Sequence, residues 1–215
     1  MIAVTEEMKL HMINKYKDKI KADFIIMPIY EENICDFKKI NDAKLINNQS
    51  IVVYAGGTQK WQLIPEMQKA MIDTSANVYF EICVPKPSEF FEIWGDKTYI
   101  KNMTVESRTH GEVLKIYERS HYGFVLREDI AVNNVACPTK LVEYMENGII
   151  PILSTPKIGD FYKMGMEFIN LEDFINGRLP TESERTIMIE KNKLILKEYK
   201  QQYLNGKEKL LERMK

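Results

Sequence analysis

Two short segments of the chain combine glycine or proline with lysine in a way that could bind an anion. Residues 54–62 have the sequence YAGGTQKWQ, which we call the glycine junction. Residues 137–144 have the sequence CPTKLVEY, which we call the proline junction. Main-chain N–H groups and lysine ammonium groups are the usual partners of phosphate in proteins, so both segments are candidate phosphate sites.

The glycine junction offers an open backbone and one cation. Gly56 and Gly57 lack Cβ atoms, so their N–H groups can approach a ligand closely, and Lys60 could neutralise a phosphate. The alternative is that the glycine pair only makes a tight turn and Lys60 is solvated. The segment fits neither GxGxxG nor GxxxxGK[ST], so it indicates neither a dinucleotide fingerprint nor an ATPase P-loop.

The proline junction is expected to open a helix. With Pro138 in the first turn, the N–H groups of Thr139 and Lys140 face the site, and the helix dipole favours an anion there. Lys140 and Glu143 are three residues apart and therefore neighbours on one helix face. A phosphate and a sugar hydroxyl could bind to them together; the alternative is an ordinary surface pair of opposite charges.

The rest of the chain predicts the elements that would position these residues. Short β-branched or aromatic runs alternate with amphipathic helical stretches, which indicates an α/β fold with a doubly wound parallel sheet. The runs are apolar throughout, as expected of parallel strands covered on both faces. Ligands of such sheets bind beyond the carboxyl ends of the strands. We predict strands at residues 51–54, 78–84, 122–126, 149–153 and 167–171, and helices at residues 63–72, 111–120 and 139–147.

The two ends of the chain differ from this middle part, so we divide the chain into three regions. Residues 1–50 begin with a strand at 2–4 and a helix capped by Thr5, and continue through an apolar run at 24–30 into a polar connecting segment, 31–50. Residues 51–182 form the predicted sheet domain. Residues 183–215 are charge-rich and predict one or two amphipathic helices, broken near Asn205 and Gly206.

Composition excludes several classes of protein. The 30 Lys and Arg residues balance 31 Asp and Glu residues, so the net charge of -1 gives no general attraction to nucleic acid. The apolar runs are far shorter than the roughly 20 residues of a membrane-spanning helix. The N-terminus lacks signal-peptide features, and three widely spaced cysteines make no disulfide framework. We therefore expect a cytoplasmic protein with no nucleic-acid partner and no transmembrane segment.

The pattern PTKxxEYxxxGxxPI over residues 138–152 resembles the donor-site signature of retaining GT-B glycosyltransferases of family 4, also called glycosyl transferases group 1. The glycine junction resembles the first-strand phosphate loop of that family, and residues 110–117 resemble the segment before its fourth strand. Residues 2–8 are similar to the last strand and helix of the acceptor domain. The resemblance implies a C-terminal, Rossmann-like donor domain, preceded in residues 1–50 by a remnant of the acceptor domain and a linker.

The resemblance also implies roles for individual residues. Glu143 would bind the ribose hydroxyls of a nucleotide-sugar, and Lys140 and Lys60 would bind its diphosphate and stabilise the leaving group. The remaining donor-binding residues would be Gly56, Gly57, Pro138 and Thr139. No cofactor and no metal are implied, in line with the scattered positions of His11, His110 and His121.

The implied activity is that of a hexosyltransferase of polysaccharide biosynthesis. It would move a sugar from a nucleotide-sugar, by default a UDP-sugar, to a glycan or a lipid-linked acceptor with retention. A lipid-linked acceptor would place the protein at the membrane periphery. The implied partner is the missing N-terminal acceptor domain, without which this chain should bind donor but transfer sugar poorly.

Two departures from the family pattern leave alternatives open. Val135 stands where the family has its first glutamate, and Gly57 stands where it has a loop arginine. Asn133, Asn134 and Arg127 are candidates to supply the lost contacts. The alternative functions are a nucleotide-sugar epimerase on the same architecture and a degenerate, non-catalytic domain that binds a nucleotide or a partner protein.

Overall fold

A computed structural model of the chain describes residues 1–30, 49–95, 100 and 102–215. Most of the polar segment predicted to be a connection, residues 31–48, lies outside the described residues. The described part contains eight strands, β1 to β8, and eight α-helices, α1 to α8. In chain order they are β1 (Ile2–Ala3), α1 (Glu6–Tyr16), β2 (Ile25–Ile26), β3 (Ser50–Ala55), α2 (Ile64–Asp73), β4 (Val78–Cys83), α3 (Pro87–Trp94), β5 (Met103–Glu106), α4 (His110–Arg119), β6 (Tyr122–Val125), α5 (Ala131–Asn134), α6 (Thr139–Glu146), β7 (Ile150–Leu153), β8 (Ile169–Asn170), α7 (Leu171–Ile175) and α8 (Glu182–Arg213).

Six strands form one parallel sheet in the order β5-β4-β3-β6-β7-β8. The chain therefore starts in the middle of the sheet, builds one half outwards, crosses back and builds the other half. This is the doubly wound α/β arrangement that the alternation of strands and helices predicts. The predicted fold class is confirmed.

Helices cover both faces of the sheet because the side chains of each strand alternate between the faces. Val52 belongs to an apolar core that includes Met67 of α2 and Phe174 of α7. Its neighbour Val53 belongs to a second core, with Leu141 of α6 and further residues of α4 and α8. Both faces are thus dry, which explains why the central strands are apolar at consecutive positions.

The predicted strands of the sheet all occur, with ends that differ by one to two residues. Strand β5 and the helices α3, α5 and α7 were not predicted. Strand β5 is an edge strand of four residues, Met103–Glu106, and none of its side chains is fully buried. An edge strand has only one neighbouring strand and needs no continuous apolar run, so its sequence carries little signal.

The N-terminal region forms a small separate sheet in which β1 pairs with β2 in parallel. Thr5 caps α1 by accepting a hydrogen bond from the Met8 N–H at 2.9 Å, as predicted. The carboxylate of Asp160 also accepts hydrogen bonds from the N–H groups of Glu6 and Glu7, at 2.7 and 3.0 Å. The main domain thus caps the first helix of this unit, where a negative charge is stabilised by the helix dipole.

The break predicted near Asn205 and Gly206 is wrong: α8 is one continuous helix of 32 residues. Gly206 is buried where α8 crosses β2, and a Cβ atom at this position would lie 2.3 Å from the Ile26 carbonyl oxygen. Glycine is therefore needed for the close approach of helix and strand. The helix continues through it because a single glycine costs a helix only about 1 kcal/mol, which packing offsets.

Candidate functional site

The two junctions meet at the centre of the sheet. The glycine junction follows β3, and the segment that leads to the proline junction follows the neighbouring strand β6. The direction of chain winding reverses between these two strands. Crevices at the carboxyl ends of strands at such a reversal are the usual ligand sites of open α/β sheets.

Helix α6 is fixed on the sheet by Tyr144. The Tyr144 hydroxyl accepts a hydrogen bond from the Ala55 N–H at 3.2 Å and donates one to the Val53 carbonyl oxygen at 3.4 Å. Its ring lies against Gly123 of β6, where a Cβ atom would come within 2.3 Å of the ring. Lys140 is four residues before Tyr144, on the same helix face. The contacts of Tyr144 with the sheet therefore also set the position of the lysine.

Lys140 reaches across to the glycine junction. Its Nζ lies 3.8 Å from the centre of the Tyr54 ring and 3.4 Å from Gln62 Oε1, to which it donates a hydrogen bond. A Cβ atom on Gly56 would lie only 2.6 Å from this Nζ. Gly56 therefore has no side chain where the ammonium group passes, and the two junctions lie next to each other.

The surroundings of Lys140 disfavour its charge. Burial and, to a smaller extent, the positive charge of Arg127 lower the pKa of Lys140 to about 7, while the carboxylate of Glu143 acts in the opposite direction. A lysine with an ordinary pKa near 10.4 would be fully charged at neutral pH. Lys140 is thus a cation whose charge an incoming anion would stabilise.

Glu143 is half-buried and faces the same side of α6 as Lys140. Tyr117 of α4 donates a hydrogen bond from its hydroxyl to Glu143 Oε2 at 3.3 Å. Burial, together with this contact, raises the pKa of Tyr117, so the phenol remains a donor. The carboxylate is thereby held in place with acceptor capacity to spare, which suits a ligand hydroxyl.

The start of α6 differs slightly from the prediction. Pro138 is the N-cap residue, one position before the first helical residue Thr139, and not a residue of the first turn. Its carbonyl oxygen accepts from the N–H groups of Leu141 and Val142. Within the described ranges, no backbone acceptor lies against the N–H groups of Thr139 and Lys140, so both are available to an anion.

The glycine junction is shaped by its own hydrogen bonds. The Gly56 N–H donates to the Cys83 carbonyl oxygen at 3.0 Å, so the prediction that this N–H faces a ligand is wrong. The Tyr54 hydroxyl donates to the Gly57 carbonyl oxygen at 2.5 Å. Lys60 lies in a 3₁₀ turn, Lys60–Gln62, with its side chain exposed. No ion pair or hydrogen bond of that side chain occurs in the part of the chain that the structure describes. The structure therefore brings Gly56, Lys140 and Glu143 together, and leaves Lys60 at the rim.

Two positioning residues were not predicted from the sequence. Gly123 makes room for the Tyr144 ring, and Tyr144 anchors α6 to β3. A lone glycine inside an apolar strand is a recognised sign that another group packs closely against the strand. This sign could have identified Gly123 from the sequence. The partner of that glycine could not be identified from the sequence, because it lies on another element.

Among the described residues, no group of three or more His, Cys, Asp or Glu side chains is arranged to hold a metal ion. Within the same ranges, no helix is both long enough and apolar enough to cross a bilayer.

The parallel six-stranded sheet flanked by helices matches the Rossmann-like fold of solved GT-B glycosyltransferases. Solved structures similar to this chain include WaaG, a glycosyltransferase involved in lipopolysaccharide biosynthesis, with 12% identity and a TM-score of 0.62 over 89% of this chain and 56% of that one. The apo structure of OtsA has 11% identity and a TM-score of 0.66 over 100% of this chain and 60% of that one. An E. coli trehalose-6-phosphate structure bound with UDP-2-fluoro glucose has 10% identity and a TM-score of 0.65 over 98% of this chain and 59% of that one.

The chain thus spans less than two thirds of the length of these neighbours. No protein-family model matches the sequence, and no curated protein does. At identities this low, the likeness establishes the fold only.

Proposed function

We propose that this chain is the donor-binding part of a glycosyltransferase that takes a sugar from a nucleotide-sugar. The observation that carries the proposal is the contact of Lys140 with Gly56 at the sheet centre, with Glu143 one turn further along the same helix. This arrangement offers a cation for the diphosphate and a carboxylate for the ribose hydroxyls of one ligand.

The proposed chemistry follows from where charge develops. When the bond between the sugar and the diphosphate breaks, negative charge grows on the phosphate oxygens and positive charge on the anomeric carbon. Lys140 and the free N–H groups at the start of α6 would stabilise the departing diphosphate without having to reorganise. The bound diphosphate would in turn keep Lys140 protonated at neutral pH.

Uridine is the nucleotide that we propose for the donor. One neighbour of this fold was solved with UDP-2-fluoro glucose, and the residue pattern of the proline junction resembles that of retaining transferases. A glycan or a lipid-linked acceptor, transfer with retention, and a cytoplasmic protein at the membrane periphery are parts of the same proposal.

We further propose that transfer requires an acceptor-binding half in addition to these residues. The chain covers 56–60% of the neighbours named above. The small β1-β2 sheet with α1 would belong to that half. Donor binding should therefore be measurable on this chain alone, whereas sugar transfer should not.

The test is calorimetry with UDP and GDP on the wild-type chain and on Glu143→Ala. The substitution should weaken UDP binding roughly 10- to 100-fold, because hydrogen bonds to a charged group contribute about 1.5–3 kcal/mol. Glu198→Ala, on the exposed face of α8, is the matched control and should bind UDP as the wild type does. The assignment is refuted if both variants bind equally, or if the wild type binds neither nucleotide at millimolar concentration.

A second candidate function is a nucleotide-binding domain without catalytic activity. It is favoured by Val135, because the family that the sequence resembles has its first glutamate at this position and this chain has no carboxylate there. In the structure, the Val135 carbonyl oxygen accepts a hydrogen bond from Thr5 Oγ1 at 2.7 Å, so this segment joins α1 to the main domain. Slow hydrolysis of a UDP-sugar by a chain that includes an acceptor half would argue against this alternative.

A further inference from the structure

The site contains a second cation, Arg127, directly after β6. Its main chain is fixed at the end of the neighbouring strand β7: the Arg127 N–H donates to Ser154 Oγ at 3.0 Å, and Ser154 Oγ donates to the Arg127 carbonyl oxygen at 2.7 Å. Arg127 therefore occupies a rigid position at the carboxyl edge of the sheet, next to the strand that carries the glycine junction.

The guanidinium group of Arg127 is held on one side only. Its Nη1 donates to Asn133 Oδ1 at 3.4 Å, and Asn133 is itself fixed by donating to the Glu128 carbonyl oxygen at 3.0 Å. The Nε–H is buried and has no hydrogen-bond partner within the described ranges. Buried donors of this kind are normally paired, so this one lacks the acceptor that such a position normally has.

No carboxylate neutralises Arg127 within the residues that the structure describes. Of the two acidic residues that follow Arg127, Glu128 is exposed and Asp129 forms an ion pair with Lys157 at 2.7 Å. The charge of Arg127 is nevertheless felt at two neighbouring groups. Burial lowers the pKa of Lys140 and Arg127 lowers it further, whereas burial raises the pKa of Tyr54 and Arg127 offsets part of that rise. Two partly buried cations thus lie within electrostatic reach of each other, and the carboxylate that acts on Lys140 is Glu143. Buried charges without counter-charges are costly.

The other two candidates for the lost donor contacts are engaged elsewhere. Asn133 is buried and holds Arg127 through its side-chain oxygen. Asn134 donates from its side chain to Asp129 Oδ1 at 2.6 Å. The sequence gives no reason to prefer one of these three candidates, but the structure does. Of the three, only Arg127 combines a positive charge with a buried donor that has no partner among the described residues.

We infer that Arg127, directly after β6, binds the diphosphate together with Lys140 of helix α6, and so replaces the arginine that the glycine junction lacks at Gly57. The inference rests on the proposed function, since it names a further residue of the same site. A doubly charged anion between the two cations would supply the missing counter-charge. The planar guanidinium suits this role because it can donate two parallel hydrogen bonds to phosphate.

The test uses calorimetry of the whole chain with UDP, UMP and inorganic pyrophosphate. Arg127→Gln should lower the affinity for UDP and for pyrophosphate at least tenfold, because the variant would no longer bind the second phosphate. UMP has no second phosphate, so its affinity should fall much less. Arg127→Lys keeps the positive charge but loses the pair of parallel guanidinium donors. Its affinity for UDP should lie between those of Arg127→Gln and the wild type. Arg213→Gln, an exposed arginine on the last turn of α8, is the matched control and should stay within twofold of the wild type.

The outcomes separate this inference from the proposed function. If the wild type binds UDP and Arg127→Gln binds it within twofold as well, the inference is overturned and the donor site stands. An equal loss for UDP and UMP would also overturn it, since that pattern indicates a general disturbance of the loop. If the wild type binds none of the three ligands, the proposed function itself fails. If circular dichroism shows that Arg127→Gln does not fold, Arg127→Lys is tested instead. The inference then requires that Arg127→Lys lowers the affinity for UDP at least threefold and the affinity for UMP by less.

Discussion

The glycine junction and the proline junction have similar ingredients but different lysines. The glycine junction directly follows the central strand β3, and the proline junction follows the central strand β6 after the short helix α5. Each combines a backbone with free N–H groups and one lysine. Lys140 lies over an aromatic ring, in contact distance of a glycine from the other junction, whereas Lys60 extends from a short turn into solvent. The difference shows that a lysine next to a glycine-rich backbone is a good candidate for ligand binding only when another element packs over it.

The cause of the difference lies in what each lysine is attached to. Lys140 is on a helix that is anchored to β3 through Tyr144 and packed on Gly123. Lys60 is in a 3₁₀ turn none of whose residues is buried. A group on a rigid, buried element loses little entropy when it binds a ligand, while an exposed lysine must first be ordered.

The largest effect is expected from Lys140→Met, which removes the partly buried cation and keeps a side chain of similar length. UDP binding should fall roughly 100-fold or more, because the variant loses a charge-assisted contact and the positive potential of the site. The melting temperature should not fall, since an ammonium group that is costly to bury has been replaced by an apolar group. Calorimetry with UDP and a thermal melt measure the two quantities.

Lys197→Met is the matched control for this prediction, because Lys197 is exposed on α8. It should leave UDP affinity unchanged. If Lys140→Met binds UDP as well as this control does, the contrast between the junctions has no functional meaning.

An intermediate effect is expected from pH. In the free protein the pKa of Lys140 is about 7, and a bound diphosphate should raise it, so binding takes up a proton. UDP affinity should therefore be highest near pH 7 and decline as pH rises, by roughly tenfold towards pH 8.5. The terminal phosphate titrates near pH 6, so measurements from pH 7 upwards isolate the lysine.

Lys140→Arg separates this cause from others, because a guanidinium group keeps its charge throughout this range. Its UDP affinity, whatever its absolute value, should be flat between pH 7 and 8.5. A wild-type affinity that does not change over this range would show that Lys140 does not gain a proton when the diphosphate binds.

The smallest effect is expected from Lys60→Ala. Exposed charges contribute about 0–1 kcal/mol to an interaction, so UDP affinity should decline by no more than about threefold. Calorimetry with UDP at two salt concentrations measures it, and the small loss should shrink at high salt because exposed charges are screened. A loss as large as that of Lys140→Met would mean that the glycine junction closes onto the ligand and brings Lys60 with it.

Much of the fold could be predicted because it depends on local patterns. Consecutive apolar residues indicated covered parallel strands, and Thr5 was recognised as the cap of α1. Strand β5 was missed because an edge strand needs few apolar residues. Gly206 was wrongly predicted to break the helix because the reason for this glycine lies on β2, about 180 residues away in sequence.

The same division holds for the site. The sequence alone determined that Lys140 and Glu143 share a helix face, because their spacing of three is fixed by the helical repeat. It also determined that an open glycine backbone follows a central strand. Only the tertiary structure decided that Lys140 meets Gly56 and that Arg127 lies near enough to lower the pKa of Lys140, because the order of strands in the sheet sets which loops become neighbours. That order is fixed by the packing of the whole domain, which no short stretch of residues encodes.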